Sequence, residues 1–206
     1  MSNFLIEYTG EWDKKGSKGT SSVKFVFIHI PKTAGMSIRN GVFGGNYEGP
    51  IMGYIPQEWK EYPSFAFVRN PFDRLVSAWK MFNRPDYRGL KGIDQISFSR
   101  FIAIATDKTL PFETASGSIK EGIRHHTLPQ THPFNCLDQA KQIGRFENLK
   151  KDFNKIMRKI GFKETFSLPH KNSTVKLDYR TLFDEESKKK VEKFYKEDLE
   201  KLDYEF

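Results

Sequence analysis

The sequence predicts an α/β fold with a central, mainly parallel sheet between layers of helices, and two observations indicate it. Short apolar segments rich in Phe, Val and Ile, at 24–30 and 64–68, have the composition of buried strands. Each is followed within a few residues by a segment with helical spacing. Strands that alternate with helices are typical of a parallel sheet with right-handed crossovers.

The chain divides into a lead-in and one domain. Residues 1–22 are predicted to be a flexible N-terminal lead-in, because Gly10–Ser22 is polar and contains several glycines and serines. Residues 23–206 are long enough for one well-filled domain, and they contain no internal repeat. We therefore expect a single domain that begins near Val23.

The first strand, Lys24–Ile30, is apolar on both faces, as a central strand should be. Pro31 ends this strand. Met36–Phe43 then has helical character until two glycines stop it at Gly44. The sequence thus predicts a strand, a tight turn and a helix in immediate succession.

The second strand, Ser64–Val68, leads directly into another helix. Asn70 is a good N-cap, Pro71 suits the first helical position, and Asp73 is favourable in the first turn. Apolar residues then mark one face of the helix: Phe72, Leu75, Val76 and Trp79.

Four further elements are expected: a short helix at Ser97–Ala105, a strand at Gln142–Phe146, a helix ended by Gly161, and a helical tail from Asp184. The polar, histidine-rich segment Arg124–His132 is predicted to be a loop.

Composition limits the classes of function. The formal net charge of +8 favours anionic partners. The lysine-rich segments 150–163 and 188–196 have helical spacing typical of solvated faces, so no nucleic-acid partner is expected. Cys136 is the single cysteine, which rules out an intramolecular disulfide and a cysteine-based zinc site. No signal peptide and no apolar run of the ~20 residues needed for a membrane span is found, so a cytoplasmic location is expected.

The turn Pro31–Ser37 has the chemistry of an anion site. A turn between a strand and a helix offers backbone N–H groups to a phosphate, as in a P-loop-like fold. Lys32 adds a charge, Gly35 allows close approach of the backbone, and Thr33 and Ser37 add hydroxyl groups. The loop is not a Walker A motif, because the lysine precedes the glycine.

A second anion site is predicted at the end of the second strand. Arg69 can hold a phosphate with two parallel hydrogen bonds, and Ser77, two turns into the helix, can add a hydroxyl. Two such sites indicate a ligand with phosphates at both ends.

These segments resemble a known family. FIHIPKTAGMS is similar to the 5′-phosphosulfate loop, and FVRNPFDRLVSAW to the 3′-phosphate motif, of sulfotransferases that use 3′-phosphoadenosine 5′-phosphosulfate (PAPS). IGRFENLKKDF at 143–153 and LPHKNSTVKLDYR at 168–180 strengthen the resemblance, which is nearest to carbohydrate sulfotransferases of the heparan 2-O, uronyl and HNK-1 type. It covers about Val23 to Phe206.

The resemblance implies in-line transfer of a sulfonate group from PAPS to a hydroxyl of a carbohydrate acceptor, with 3′,5′-ADP as product and no metal ion. Lys32 would stabilise charge on the bridging oxygen. The 5′-phosphate would be held by backbone groups of Thr33, Ala34, Gly35, Met36 and Ser37. Arg69 and Ser77 would bind the 3′-phosphate. The acceptor is expected to be acidic, with Arg39, Arg84, Arg88, Lys91 and Arg124 as candidate contacts.

The general base is less well specified, because no histidine lies between the two donor motifs, where 2-O-sulfotransferase-like relatives have one. His126, in a segment similar to the H-x-x-P-Q stretch of these families, is the first candidate and Glu48 the second. His29 is expected to be a packed strand residue. His170, Lys171 and Asn172 are candidates for donor or acceptor contacts.

Two alternatives remain open: a P-loop kinase, against which the missing GK[ST] counts, and a catalytically silent module that binds nucleotides or polyanions. The absence of an anchor favours a bacterial or viral relative over the Golgi enzymes.

Overall fold

The computed structural model describes residues 2–11, 20–45, 47–84, 95–112, 118–168 and 178–206. The strands are β1 (Ser2–Glu11), β2 (Thr20–His29), β3 (Tyr47–Ile51), β4 (Ser64–Val68) and β5 (Gln142–Arg145). The helices are α1 (Pro71–Phe82), α2 (Phe98–Ala105), α3 (Ile119–Thr127), α4 (Leu149–Ile160), α5 (Glu185–Phe194) and α6 (Lys196–Lys201). The α/β class is thereby confirmed.

The chain forms two compact units. The first comprises Met1–Val68 and His132–Thr174 and contains the sheet and α4, whereas the second comprises Arg69–Thr131 and Val175–Phe206 and contains the other five helices. The assignment of residues 23–206 to one domain stays a prediction.

The sheet of the first unit has the strand order β3-β1-β2-β4-β5. The pairings β2–β4 and β4–β5 are parallel, while β1 is antiparallel to both β2 and β3. The strands expected from the sequence are the parallel ones. The sheet is mixed because two further strands, β1 and β3, extend it beyond β2 in antiparallel pairing. The sequence pattern did not indicate these two strands.

Strand β1 corrects the prediction about the N-terminus. Ser2–Glu11 pairs with β2 along its whole length, from Ser2 opposite His29 to Glu11 opposite Thr20. Phe4, Leu5 and Ile6 are buried. The prediction of a flexible lead-in over 1–22 is therefore wrong for β1 and for the first residues of β2, while residues 12–19 lie outside the described part. The polar Gly and Ser residues within Gly10–Ser22 gave no strand pattern, so the long pairing of β1 with β2 was not predicted.

The core of the first unit lies between one sheet face and two helices. Alternate strand residues point to this face because side chains alternate along a strand: Phe4, Ile6, Phe25, Phe27, Phe65 and Phe67. Phe153, Ile156, Met157 and Ile160 of α4 cover it, together with Ile38 of the π helix Ser37–Val42 and Phe43 beyond it. Helix α4 ends at Gly161, as predicted.

The second unit is a helical cluster with its own core. Phe72, Leu75 and Phe82 of α1 pack with residues of α2, α3 and α5. Helix α1 has the predicted cap, since the Asn70 side chain accepts a hydrogen bond from the Phe72 N–H at 3.0 Å. The tail from Asp184 is helical as predicted, and Asp184 and Ser187 form a capping box.

Helix α3 corrects a second prediction. Arg124–Thr127 belong to its last two turns, so only the part from Leu128 onward matches the expected loop over Arg124–His132. The segment is polar, but Ile123 is fully buried and Arg124 is 3 % exposed, which gives the helix a buried side.

Candidate functional site

The loop Pro31–Ser37 follows the carboxyl end of β2 and has an unusual backbone. Lys32 and Ala34 have φ angles of 71° and 72°, in the left-handed region, whereas Thr33 and Gly35 between and after them do not. Non-glycine residues in this region cost about 1 kcal/mol or more each. Such an alternation of φ signs is typical of an anion-binding nest, in which successive N–H groups point toward one side.

Side chains around the loop fix this backbone. Thr33 is fully buried, and its hydroxyl donates to the Ile30 carbonyl at 2.7 Å. The hydroxyl therefore stabilises the loop. The backbone N–H is the group of Thr33 that a ligand could contact instead. Lys32 and Ser37 are half-buried, and Met36 is 56 % exposed.

The imidazole of His29 occupies the space beside Gly35. A Cβ atom at residue 35 would lie 1.9 Å from His29 Nε2 and 2.0 Å from Cδ2. The His29 ring in turn stacks on Phe27, with centroids 5.7 Å apart. Residue 35 must therefore be glycine for internal packing. From the sequence alone, Gly35 was expected only to allow close approach of a ligand.

Arg39, one turn into the π helix, is a partly buried cation with neutral neighbours. Its guanidinium lies 4.0 Å from the centroid of Phe4 and 5.1 Å from that of Tyr47. Nη1 donates to the Tyr47 hydroxyl at 3.0 Å, and Nη2 lies 3.2 Å from Met36 Sδ. Nε is buried and has no hydrogen-bond partner within the part of the chain that the structure describes. Burial lowers the pKa of Arg39. Among the described residues, no carboxylate forms an ion pair with it.

In the second unit, Arg69 begins the corner that leads into α1. Its Nε and Nη2 both lie 2.8 Å from Asp73 Oδ2, and the side chain is 12 % exposed. Asp73, expected to favour the first turn of the helix, thus also orients the Arg69 guanidinium. Ser77 is half-buried on α1.

The first candidate base, His126, lies on α3 in the second unit. Its Nδ1 is 2.8 Å from the Gly122 carbonyl, and its ring meets Phe82 edge-on at 5.4 Å. Because a carbonyl only accepts, Nδ1 carries the proton of the neutral imidazole and Nε2 carries the lone pair. The adjacent His125 contacts the Phe112 carbonyl, and burial lowers its pKa.

The second candidate, Glu48, is exposed on β3 in the first unit. It pairs with Leu5, so its side chain lies on the sheet face opposite to Phe4 and Ile6. The π helix packs on the face of Phe4 and Ile6. Glu48 and the helix that follows the anion loop therefore lie on opposite faces.

The remaining candidates for acceptor or donor contacts differ in their burial, and several lie outside the described residues. Arg124 donates to the Ala105 carbonyl at 2.7 Å and is 3 % exposed, so it is a buried structural residue and not part of an acceptor cleft. Arg84 is exposed. The other candidates fall outside the described residues: Arg88, Lys91, His170, Lys171 and Asn172.

A pocket of about 310 Å³ lies beside Ser64, at the start of β4, and contains none of the predicted site residues. No group of three or more His, Cys, Asp or Glu in the described ranges could hold a metal ion. None of the helices described above is long and apolar enough to cross a membrane.

Comparison with protein families gives one match. The model of the Sulfotransferase family matches residues 50–205, about three quarters of the chain. Arg69, Ser77 and His126 lie inside this range, while the Pro31–Ser37 loop and Glu48 lie before it. No curated protein and no solved structure matches.

Proposed function

This chain belongs to the sulfotransferase family, and from that premise we propose that it transfers a sulfonate group from PAPS to a hydroxyl of an acidic carbohydrate. The observation that carries the donor assignment is the loop Pro31–Ser37, where alternating φ signs create a nest of N–H groups around Lys32. Such a nest suits the phosphate and sulfonate oxygens of the donor.

The proposed donor contacts follow from these residues. The backbone N–H groups of Thr33 to Ser37 hold the 5′-phosphosulfate, with the Thr33 hydroxyl retained for its bond to Ile30. Arg69 and Ser77 hold the 3′-phosphate. Asp73 supports this role because it keeps the Arg69 guanidinium in one orientation before the ligand arrives.

In the proposed reaction, the acceptor oxygen attacks the sulfur atom while the bond between sulfur and the bridging oxygen breaks. The electron pair of that bond leaves with 3′,5′-ADP, and Lys32 stabilises the charge that develops there. A general base takes the acceptor proton. His126 Nε2 is the first candidate, because the Gly122 carbonyl holds the proton on Nδ1. Glu48 remains the second.

Arg39 supports the acidic class of acceptor. A partly buried cation without an acidic partner is unfavourable, and a carboxylate or sulfate group of the acceptor would compensate its charge. The rings of Phe4 and Tyr47 keep the guanidinium plane fixed for such a contact.

Thermal unfolding tests the donor assignment. A ligand that binds only the native state stabilises it by RT ln(1 + [L]/Kd). We expect 3′,5′-ADP to raise the Tm and ATP–Mg²⁺ to have little effect. A shift with ATP–Mg²⁺ alone would favour the kinase alternative and contradict the proposal.

Turnover of labelled PAPS tests catalysis and the silent-module alternative. Lys32→Ala should abolish sulfonate transfer, while Lys150→Ala, which changes an exposed lysine of α4, should not. The variants His126→Ala and Glu48→Gln each remove one candidate base, so their turnover rates compare the two candidates. If each retains turnover within about tenfold of the wild type, neither is the base.

A matched pair of acceptors tests the role of Arg39: p-nitrophenyl β-glucuronide, which has a carboxylate, and p-nitrophenyl β-glucoside, which lacks it. Arg39→Met should raise KM for the glucuronide about tenfold, since a charge-assisted hydrogen bond is lost, and leave KM for the glucoside unchanged. Equal changes for both acceptors would contradict the assignment.

A further inference from the structure

We propose that Gln130, held in place by the buried carboxylate of Asp198, is a positioning residue that fixes Arg69 for the 3′-phosphate of the donor. The inference rests on the proposed function, since it concerns the residue assigned to that phosphate. All three residues belong to the second unit.

The Gln130 side chain binds the backbone of Arg69 in both directions. Its Oε1 accepts from the Arg69 N–H at 2.9 Å, and its Nε2 donates to the Arg69 carbonyl at 2.8 Å. Arg69 comes directly after the last residue of β4, where a strand normally loses its backbone partners. The amide of Gln130 takes the place of the missing peptide group.

Asp198 in turn holds Gln130 by hydrogen bonds to its backbone and its side chain. Asp198 is fully buried, and its Oδ2 accepts from the Gln130 backbone N–H at 2.7 Å and from Gln130 Nε2 at 3.4 Å. Its Oδ1 accepts from the N–H and the hydroxyl of Thr131, each at 2.8 Å. A buried carboxylate is stable only when such donors surround it. Together these four bonds fix the turn that carries Gln130.

The preceding residues of the turn are fixed through their carbonyl groups. Arg74, 2 % exposed, donates to the carbonyls of His126, Thr127 and Leu128 at 3.2, 3.3 and 2.6 Å. The Tyr195 hydroxyl also donates to the Thr127 carbonyl. The turn therefore has little freedom to move, and Gln130, which is itself fully buried, acts as a rigid support.

The consequence for Arg69 is that both ends of the residue are fixed before a ligand binds. Gln130 sets the backbone, and Asp73 sets the guanidinium. Preorganisation of this kind reduces the entropy lost on binding. Only an amide of this length supplies a donor and an acceptor together. Glutamate would lose the donor and would also face the carboxylate of Asp198.

The test compares two nucleotides that differ in the 3′-phosphate, 3′,5′-ADP and 5′-AMP, by calorimetric titration. The wild type should bind 3′,5′-ADP more tightly. In Gln130→Met, affinity for 3′,5′-ADP should fall about tenfold, while affinity for 5′-AMP stays within about twofold of the wild type. Thr131→Val is the matched control: it removes one hydrogen bond to Asp198 from the same turn and should lower the Tm without changing the ratio of the two affinities.

Arg69→Met separates the inference from the proposed function. If the wild type shows no preference for 3′,5′-ADP, or if Arg69→Met keeps the preference, the assigned 3′-phosphate site is wrong and the inference falls with it. Suppose instead that Arg69→Met removes the preference for 3′,5′-ADP. If Gln130→Met then keeps the preference, or lowers the affinity for both nucleotides equally, only the inference is overturned. Should Gln130→Met fail to fold, Gln130→Asn, which keeps a neutral amide but is one methylene too short to reach both backbone groups of Arg69, is expected to show the same selective loss, and its absence there would also overturn the role.

Discussion

In the Pro31–Ser37 loop, the backbone conformation and the neighbouring side chains decide which residue type fits each position. Lys32 and Ala34 adopt left-handed φ angles that their side chains do not favour, and the bond from the Thr33 hydroxyl to Ile30 helps to hold them there. Gly35 is fixed by the His29 ring. The loop shape is therefore set by contacts within the first unit, before any ligand is bound.

Gly35→Ala should damage both folding and donor binding, because its Cβ would overlap the His29 ring. We expect a loss of about 1–3 kcal/mol in the free energy of unfolding, typical of overpacking, and weaker binding of 3′,5′-ADP. Urea unfolding and calorimetric titration measure the two effects.

The double variant Gly35→Ala with His29→Ala is the decisive control, because it removes the overlapping ring. Its unfolding free energy should exceed the value expected if the two single effects were additive, by about 1 kcal/mol or more. Simple additivity would show that the contact between His29 and residue 35 is not the reason for glycine.

At the scale of elements, local signals predicted most of the fold. β4 has the predicted bounds, α1 begins with the predicted Asn70 cap, and α4 ends at the predicted Gly161. β1 and α3 were missed because their local sequence signals are weak. Polar Gly and Ser residues stand where β1 pairs with the start of β2, and α3 contains Gly122 and two histidines that weaken its helical pattern.

Arg74 shows how one residue of α1 secures another element. The sequence placed it inside a phosphate-binding motif, yet it is buried and caps three carbonyls at the end of α3. The free carbonyls at a helix C-terminus need such donors. Arg74 thereby joins α1 to α3.

Arg74→Lys should destabilise the protein although it preserves the charge. One ammonium group lacks the planar fork that reaches three carbonyls, so we expect a loss of about 2–4 kcal/mol in unfolding free energy. Lys80→Ala on the same helix should change it by less than about 0.5 kcal/mol. Urea unfolding of both variants gives the comparison. Equal stability of Arg74→Lys and the wild type would contradict the capping role.

At the scale of the molecule, the two proposed donor segments could be singled out from the sequence because each follows a strand and is continuous in the chain. It did not find Gln130 as a partner of Arg69, since 61 positions separate them. Local patterns gave no indication of Asp198 either, because it lies 68 positions from Gln130. The sequence offered two candidates for the general base for the same reason: proximity to an acceptor depends on tertiary structure, whereas loop chemistry depends on adjacent residues.

The buried hydroxyl of Tyr195 predicts how stability depends on pH. Burial, the main cause, raises its pKa from 10.0 to about 12. Because the folded state holds this proton more tightly than the unfolded state, the stabilisation is complete below about pH 10 and is lost as pH rises toward 12. The full loss amounts to about 2–3 kcal/mol.

Urea unfolding of the wild type and Tyr195→Phe between pH 8 and 12 isolates this contribution. At pH 8 the variant should be less stable, because the bond to the Thr127 carbonyl is absent. As pH rises above 10, the wild type should lose stability faster, so the difference between the two proteins should shrink by about 2–3 kcal/mol at pH 12. A constant difference over this range would mean that Tyr195 does not titrate with a raised pKa.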